Sequence, residues 1–64
     1  MGYKIIFQND GREIETIGWN GSISETRELA RRIGLLIGAE VFRITDLTTD
    51  EEVSMEQRPF RRPS

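Results

Sequence analysis

The sequence of 64 residues contains no cysteine and no histidine. These two side chains supply most thiolate nucleophiles, most proton shuttles that work near neutral pH and most ligands of transition metals. Their absence excludes disulfides, catalysis by cysteine or histidine, and the usual zinc sites. We therefore expect neither a bound metal nor a cofactor.

The chain also lacks a long hydrophobic run. Its longest nearly apolar stretch, residues 33–39, is far shorter than the roughly 20 residues that span a bilayer. The first residues show neither the charged nor the apolar region of a signal peptide. These absences predict a cytoplasmic protein that makes no membrane contact.

Apolar residues make up only 36% of the chain, but they are grouped and periodic, as in an ordered domain. A chain of this length buries only about 60% of the surface that its unfolded form exposes. Small domains often compensate for a thin core with disulfides, metals or self-association. Self-association is the option that this composition favours.

Charge is distributed unevenly. Residues 1–56 hold six basic and eleven acidic side chains, whereas residues 57–64 hold three arginines and no acid. Pro59 and Pro63 interrupt this basic stretch, which has little to bury apart from Phe60. We predict one folded domain over residues 1–56 and a disordered basic C-terminal tail over residues 57–64.

The segment Asn9-Asp10-Gly11 is a strong hairpin signal between two stretches rich in β-branched and aromatic residues. A type I′ turn predicts that Phe7 lies opposite Ile14, which keeps the apolar residues of both strands on one face. A three-residue loop with Gly11 in a bulge sets Phe7 opposite Glu13 instead. We favour the first register because it keeps the apolar set together.

A helix should follow the first hairpin. Ser22-Ile23-Ser24-Glu25 fits a capping box, and Gly38 is well placed as a left-handed stop. The spacing predicts a helix from about Ile23 to Ile37, whose apolar residues share one face at 100° per residue. That face consists of Thr26, Leu29, Ala30, Ile33, Leu36 and Ile37.

Two further strands are predicted beyond the helix. Residues 40–46 and 51–56 alternate apolar and polar side chains, which is typical of half-buried strands. A loop over residues 47–50 would pair Ile44 with Val53. The second hairpin then also gathers its apolar side chains on one face.

The predicted fold is α+β with element order ββαββ, in which one helix packs on one face of a four-stranded antiparallel sheet. A right-handed crossover through the helix lays the third strand beside the first, which gives the strand order 2-1-3-4. The alternative is a β-grasp-like mixed sheet in the order 2-1-4-3. That likeness is one of topology only, because the chain ends Arg61-Arg62-Pro63-Ser64 rather than in the diglycine of ubiquitin-type proteins. It implies no function.

One helix can cover only one face of this sheet. In the favoured register the helix-free face carries four apolar residues, namely Ile6, Ile17, Trp19 and Val41. Contiguous exposed apolar area and tryptophan are typical of interaction surfaces. We predict a non-enzymatic protein-interaction module that binds itself, as a homodimer, or another protein through this face. A bulge in the second strand would return Ile17 to the core and shrink the patch.

The alternative function is that of a nucleic-acid-associated accessory protein whose arginines contact phosphates. The acidic balance of the domain argues against nucleic acid, because folds that bind it are usually basic. An ordinary solvated helix face with ion pairs along it is the favoured explanation of the helix arginines. The arginines concerned are Arg27, Arg31, Arg32, Arg58, Arg61 and Arg62.

No catalytic motif is present. Gly18-Trp19-Asn20-Gly21 matches neither a P-loop nor a dinucleotide-binding fingerprint. Carboxylates in a turn or on an exposed strand lack the burial that tunes catalytic acids and bases. We expect that the protein is not an enzyme.

Overall fold

The computed structural model describes residues 2–60. Its sheet is antiparallel throughout and has the strand order β2-β1-β3-β4. The predicted α+β fold and strand order are confirmed, and the mixed β-grasp order is excluded. The elements are β1 (Gly2–Asn9), β2 (Arg12–Asn20), α1 (Ile23–Ile37), β3 (Val41–Asp46) and β4 (Glu51–Gln57).

The core is centred on β1 and β3. Alternate residues of β1, namely Tyr3, Ile5 and Phe7, are buried beneath the helix. Ile44 lies opposite Ile5 on β3, and Phe42 lies opposite Phe7 with the two ring centroids 6.3 Å apart. Burying one large apolar side chain stabilises a fold by about 1.5–3 kcal/mol. These two central strands therefore carry much of the folding free energy.

The helix has the bounds that its caps predict. The Glu25 backbone N–H donates to the Ser22 hydroxyl at 3.1 Å, and the Ser22 N–H donates to the Glu25 carboxylate at 3.1 Å. Gly38 ends the helix with a left-handed φ of 72°. Within residues 2–60, no helix is both long enough and apolar enough to cross a membrane.

The helix face that packs on the sheet differs from the predicted one. Leu36 is 85% exposed and Ile37 is also exposed, although both were expected in the core. The buried face is rotated toward Gly34, because the ring of Phe60 fills the space beside that glycine. The buried residues of α1 are Thr26, Ala30 and Gly34.

The structure also differs from the predicted disordered tail. β4 runs one residue into it, and the Arg58 N–H then donates to the Glu40 carbonyl at 2.7 Å. Phe60 is buried, with its ring centroid 5.1 Å from that of Phe42. The folded unit therefore extends at least to Phe60. The remainder of the predicted tail, residues 61–64, lies outside the described residues.

The first hairpin begins in the predicted register and then shifts by one residue. Asp10 and Gly11 have φ values of 51° and 73°, as a type I′ turn requires. Phe7 nevertheless lies opposite Glu15, since Ile14 is the extra residue of a β-bulge. The predicted pairing of Phe7 with Ile14 is therefore wrong.

The second hairpin shifts in the same way. Ile44 lies opposite Ser54 and not opposite Val53, which is the extra residue at a second bulge. The shift places Glu56 on the helix side of the sheet, where it forms an ion pair with Arg31. A tertiary partner thus favours a register in which the apolar Val53 stays exposed.

Candidate interaction surface

The helix-free face of the sheet carries two of the four predicted binding residues. Ile6 lies there opposite Arg43, and Val41 lies opposite Gln8. Arg43 crosses this face, because its Nε donates to Gln8 at 3.1 Å and its Nη1 contacts Glu52 at 2.9 Å. The face is therefore a mixed polar surface and not the contiguous apolar patch that was predicted.

The other two predicted residues lie on the opposite face. Ile17 pairs with Ile5, and Trp19 pairs with Tyr3, both of which point toward the helix. Residues directly opposite each other on antiparallel strands share a face. The predicted placement of Ile17 and Trp19 on the helix-free face is wrong, because the bulge at Ile14 shifts the register and a one-residue shift reverses the face of each later side chain.

A different apolar surface results, between the helix and the outer strand β2. On α1, Leu29, Ile33 and Leu36 lie within about 60° of one another around the helix axis. Arg31 lies on the opposite side and faces Glu56 of β4, so the apolar stripe faces the β2 side. We define the α1–β2 flank as Ile17 and Trp19 of β2 together with Leu29, Ile33 and Leu36 of α1.

The α1–β2 flank joins half-buried side chains at the edge of the core to exposed apolar side chains. Ile17, Leu29 and Ile33 are half-buried and pack against the core. Trp19 is 40% exposed and Leu36 is 85% exposed. Trp19 and Leu29 also line one shallow depression of about 470 Å³. An apolar surface that is continuous with the core and open to water is characteristic of a docking surface.

The backbone of β2 borders the flank with a free edge. β2 is an outer strand, paired only with β1 within the described sheet. The Thr16 N–H donates to the carboxylate of its neighbour Glu15 at 3.2 Å, which shows that this N–H is not directed at β1. Free edge groups of this kind can pair with another strand.

Charged residues border the flank in an ordered way. Glu25 and Glu28 belong to the N-terminal half of α1 and Arg32 to its C-terminal half, and all three line the depression beside Trp19. Hydrogen bonds from the backbone N–H and the hydroxyl of Ser22 lower the pKa of the Glu25 carboxyl. Along the helix, the acidic side chains of this border precede the basic one, and Glu15 lies on the same side of the sheet as Ile17 and Trp19.

Arg31 is committed to an intramolecular contact. Its Nη2 lies 2.8 Å from Oε2 of Glu56, and its Nε donates to both carboxylate oxygens at 3.1 and 3.2 Å. The hydrogen bonds to Glu56 raise the pKa of Arg31 further above its ordinary value. This arginine joins the helix to β4 and does not present a free guanidinium for a phosphate.

The other arginines of the nucleic-acid hypothesis are not gathered on one face. Arg27 is half-buried on the β4 side of the helix, whereas Arg32 borders the α1–β2 flank. Arg58 follows β4, and Arg61 and Arg62 lie outside the described residues. Nucleic-acid binding stays an alternative hypothesis, but the described arginines do not form a common surface for it.

One signal in the sequence could have identified the flank. Leu35, Leu36 and Ile37 are three consecutive apolar residues, and successive residues of a helix are rotated by 100°. No single packed face can bury all three. Part of this group had to be exposed unless a second surface covered it.

Among residues 2–60, no group of three or more carboxylates is arranged to hold a metal ion. Comparison of the chain with protein-family models, with curated proteins and with solved structures finds no match. Function is therefore inferred from the geometry of the α1–β2 flank.

Proposed function

We propose that this protein is a non-enzymatic interaction module that self-associates through the α1–β2 flank. The observation that carries the proposal is the exposure of Trp19 and Leu36 on an apolar stripe that continues into the core. Covering apolar surface is favourable by about 25 cal/mol per Å². The flank replaces the helix-free face as the proposed binding surface.

The charges around the flank support a second copy as the partner. A two-fold axis that is perpendicular to the helices brings the two flanks together with the helices antiparallel. The Glu25 and Glu28 end of each helix then lies toward the Arg32 end of its counterpart. Complementary potentials of this kind favour the correct partner and orientation.

The composition of the exposed surface gives a second reason. Within the described residues, eight large apolar side chains are exposed, although the whole chain has only 64 residues. A thin core of this kind is commonly stabilised by association. Covering the flank would bury two of these side chains, Trp19 and Leu36, at once.

Sedimentation equilibrium of the wild-type chain tests the proposal, together with Leu36→Lys and the matched control Leu47→Lys. Leu36 is 85% exposed, so lysine is tolerated in the monomer, and Leu47 is 56% exposed in the β3–β4 loop, away from the flank. We expect the wild-type chain to form a dimer. Leu36→Lys should raise the dissociation constant at least about tenfold, which corresponds to 1.4 kcal/mol. Leu47→Lys should leave the dissociation constant unchanged.

Two results would contradict the proposal. A wild-type chain that stays monomeric at all concentrations would remove it, and so would a Leu36→Lys variant that associates as tightly as wild type. Circular dichroism of both lysine variants controls for folding.

Salt separates this proposal from the nucleic-acid hypothesis. Association through apolar surface should persist at high ionic strength, whereas phosphate binding weakens steeply. Titration of the protein with a short RNA duplex and with a DNA duplex, at low and high salt, provides the comparison. Tight binding that is lost at high salt, with no wild-type dimer, would favour the alternative.

A further inference from the structure

We infer that the two copies join by antiparallel pairing of their β2 strands, which produces one continuous sheet with four strands from each copy and both helices on the same side. The inference rests on the proposed self-association and specifies its geometry. Three features of β2 support it: its free edge, its uncharged segment, and its apolar pattern.

The free edge of β2 presents a regular series of backbone groups. The Thr16 N–H is directed away from β1, since it donates to the Glu15 carboxylate. In an antiparallel ladder the N–H and C=O groups of successive residues point alternately to the two sides. The backbone groups of Gly18 and Asn20 therefore share the outward direction of Thr16.

Charge selects β2 over the other outer strand. β4 contains Glu51, Glu52 and Glu56 within seven residues. The bulge at Val53 also interrupts the backbone edge of β4, and bulged edge strands pair poorly with a further strand. Residues 16–20 of β2 carry no charge.

The apolar pattern selects the register. A two-fold axis at Gly18 pairs Ile17 of each copy with Trp19 of the other. Both of these pairs lie on the helix side of the sheet. Aromatic and β-branched residues are favourable cross-strand partners. The same register leaves Glu15 beyond the uncharged segment, opposite Gly21, whereas an axis at Ile17 would set Glu15 against Trp19.

Gly18 fits its position on the axis. A Cβ atom added there would have no neighbour within 4 Å, so a side chain can be introduced at this position without displacing another atom. Both helices lie on the Ile17 and Trp19 side of the joined sheet. Leu29 and Ile33 of each copy then face the dimer axis, above the joined β2 strands.

Disulfide trapping tests the register. The wild-type chain has no cysteine, so each variant carries a single thiol. Directly opposite residues of an antiparallel hydrogen-bonded pair have Cα atoms about 5.5 Å apart, which suits a disulfide. We expect Gly18→Cys to form a disulfide-linked dimer under mild oxidation.

Two matched variants make the test specific. Thr16 and Asn20 lie opposite each other across the proposed axis, so Thr16→Cys mixed with Asn20→Cys should give a mixed disulfide, while each alone gives little. Thr49→Cys, in the exposed β3–β4 loop, controls for random collision. In the wild-type protein, fast amide exchange of Thr16, Gly18 and Asn20 should be lost as concentration is raised.

The outcomes separate the two proposals. Efficient self-linking of Thr16→Cys in place of Gly18→Cys overturns the Gly18-centred register. Absence of linking in all β2 variants, with unchanged amide exchange and a wild-type dimer in sedimentation, overturns strand pairing but leaves self-association in place. A monomeric wild-type chain removes both.

Discussion

The ring of Phe60 occupies the position that a side chain at Gly34 would need, since a Cβ atom there would lie 2.7 Å from Cε2 of Phe60. Glycine in a helix interior is less favourable than alanine by about 1 kcal/mol. The helix tolerates Gly34 because its missing side chain allows the aromatic ring to pack against Phe42. Gly34 and Phe60 therefore form one packing unit, although they lie in different elements.

Gly34→Ala should lower the free energy of unfolding by about 1–2 kcal/mol, because displacement of the Phe60 ring outweighs the gain in helix propensity. Urea denaturation at low protein concentration measures it. Gly18→Ala is the control, as its added Cβ meets no atom within 4 Å. A Gly34→Ala variant as stable as wild type would show that the ring does not pack there.

Arg31 and Glu56 should be energetically coupled. Both side chains are only 22% exposed, and the contact is bidentate, so we expect a coupling energy of about 1 kcal/mol. A double-mutant cycle with Arg31→Met and Glu56→Gln measures it.

The Arg43 and Glu52 pair, with side chains 40% and 45% exposed, serves as the internal comparison for that cycle. Its coupling should be smaller, because water screens exposed charges. Additive effects of the Arg31 and Glu56 substitutions would show that this ion pair does not hold the helix to β4.

Asn9 joins the first turn to the end of the helix. Its Nδ2 donates to the Gly38 carbonyl at 3.0 Å, and its Oδ1 accepts from the Glu40 N–H at 2.6 Å. Loss of both hydrogen bonds in Asn9→Ala should destabilise the fold by about 1–2 kcal/mol, a fall of several degrees in Tm. Thermal unfolding of Asn20→Ala, an exposed asparagine at the end of β2, is the control. Equal Tm values for the two variants would contradict the bridging role of Asn9.

The capping box should give the stability a measurable pH dependence. The hydrogen bonds from Ser22 lower the pKa of Glu25 in the folded state. A carboxyl whose pKa is lowered on folding stabilises the fold above its unfolded pKa, and this contribution is lost as pH falls through the folded pKa. The difference in unfolding free energy between wild type and Glu25→Gln should therefore be present near neutral pH and vanish in strong acid. A difference that does not vary with pH would contradict this assignment.

Local signals predicted most of the fold. The Asp10-Gly11 turn, the Ser22 and Glu25 capping box and the Gly38 stop each depend on neighbouring residues only, and the structure has all three. The strand order then follows from the handedness of the crossover. Each of these inferences needs only local sequence and chain geometry.

The faces of the two outer strands, and with them the candidate site, could not be predicted in the same way, because each outer strand contains a bulge. Neither Ile14 nor Val53 carries a local signal that marks it as the extra residue of its strand. The second shift is favoured by the contact of Glu56 with Arg31, which is 25 residues distant in sequence. Phe60 likewise fills the core from a segment whose composition resembles that of a tail.

The acidity of β4 has a consequence for how far assembly can proceed. A sheet whose two edge strands can both pair with further strands can add copies without limit and grow into a fibre. Here Glu51, Glu52 and Glu56 line one edge, and the bulge at Val53 distorts it. Growth from that edge is thus disfavoured by its acidic side chains and by its irregular backbone, so we expect the proposed pairing through β2 to stop at two copies.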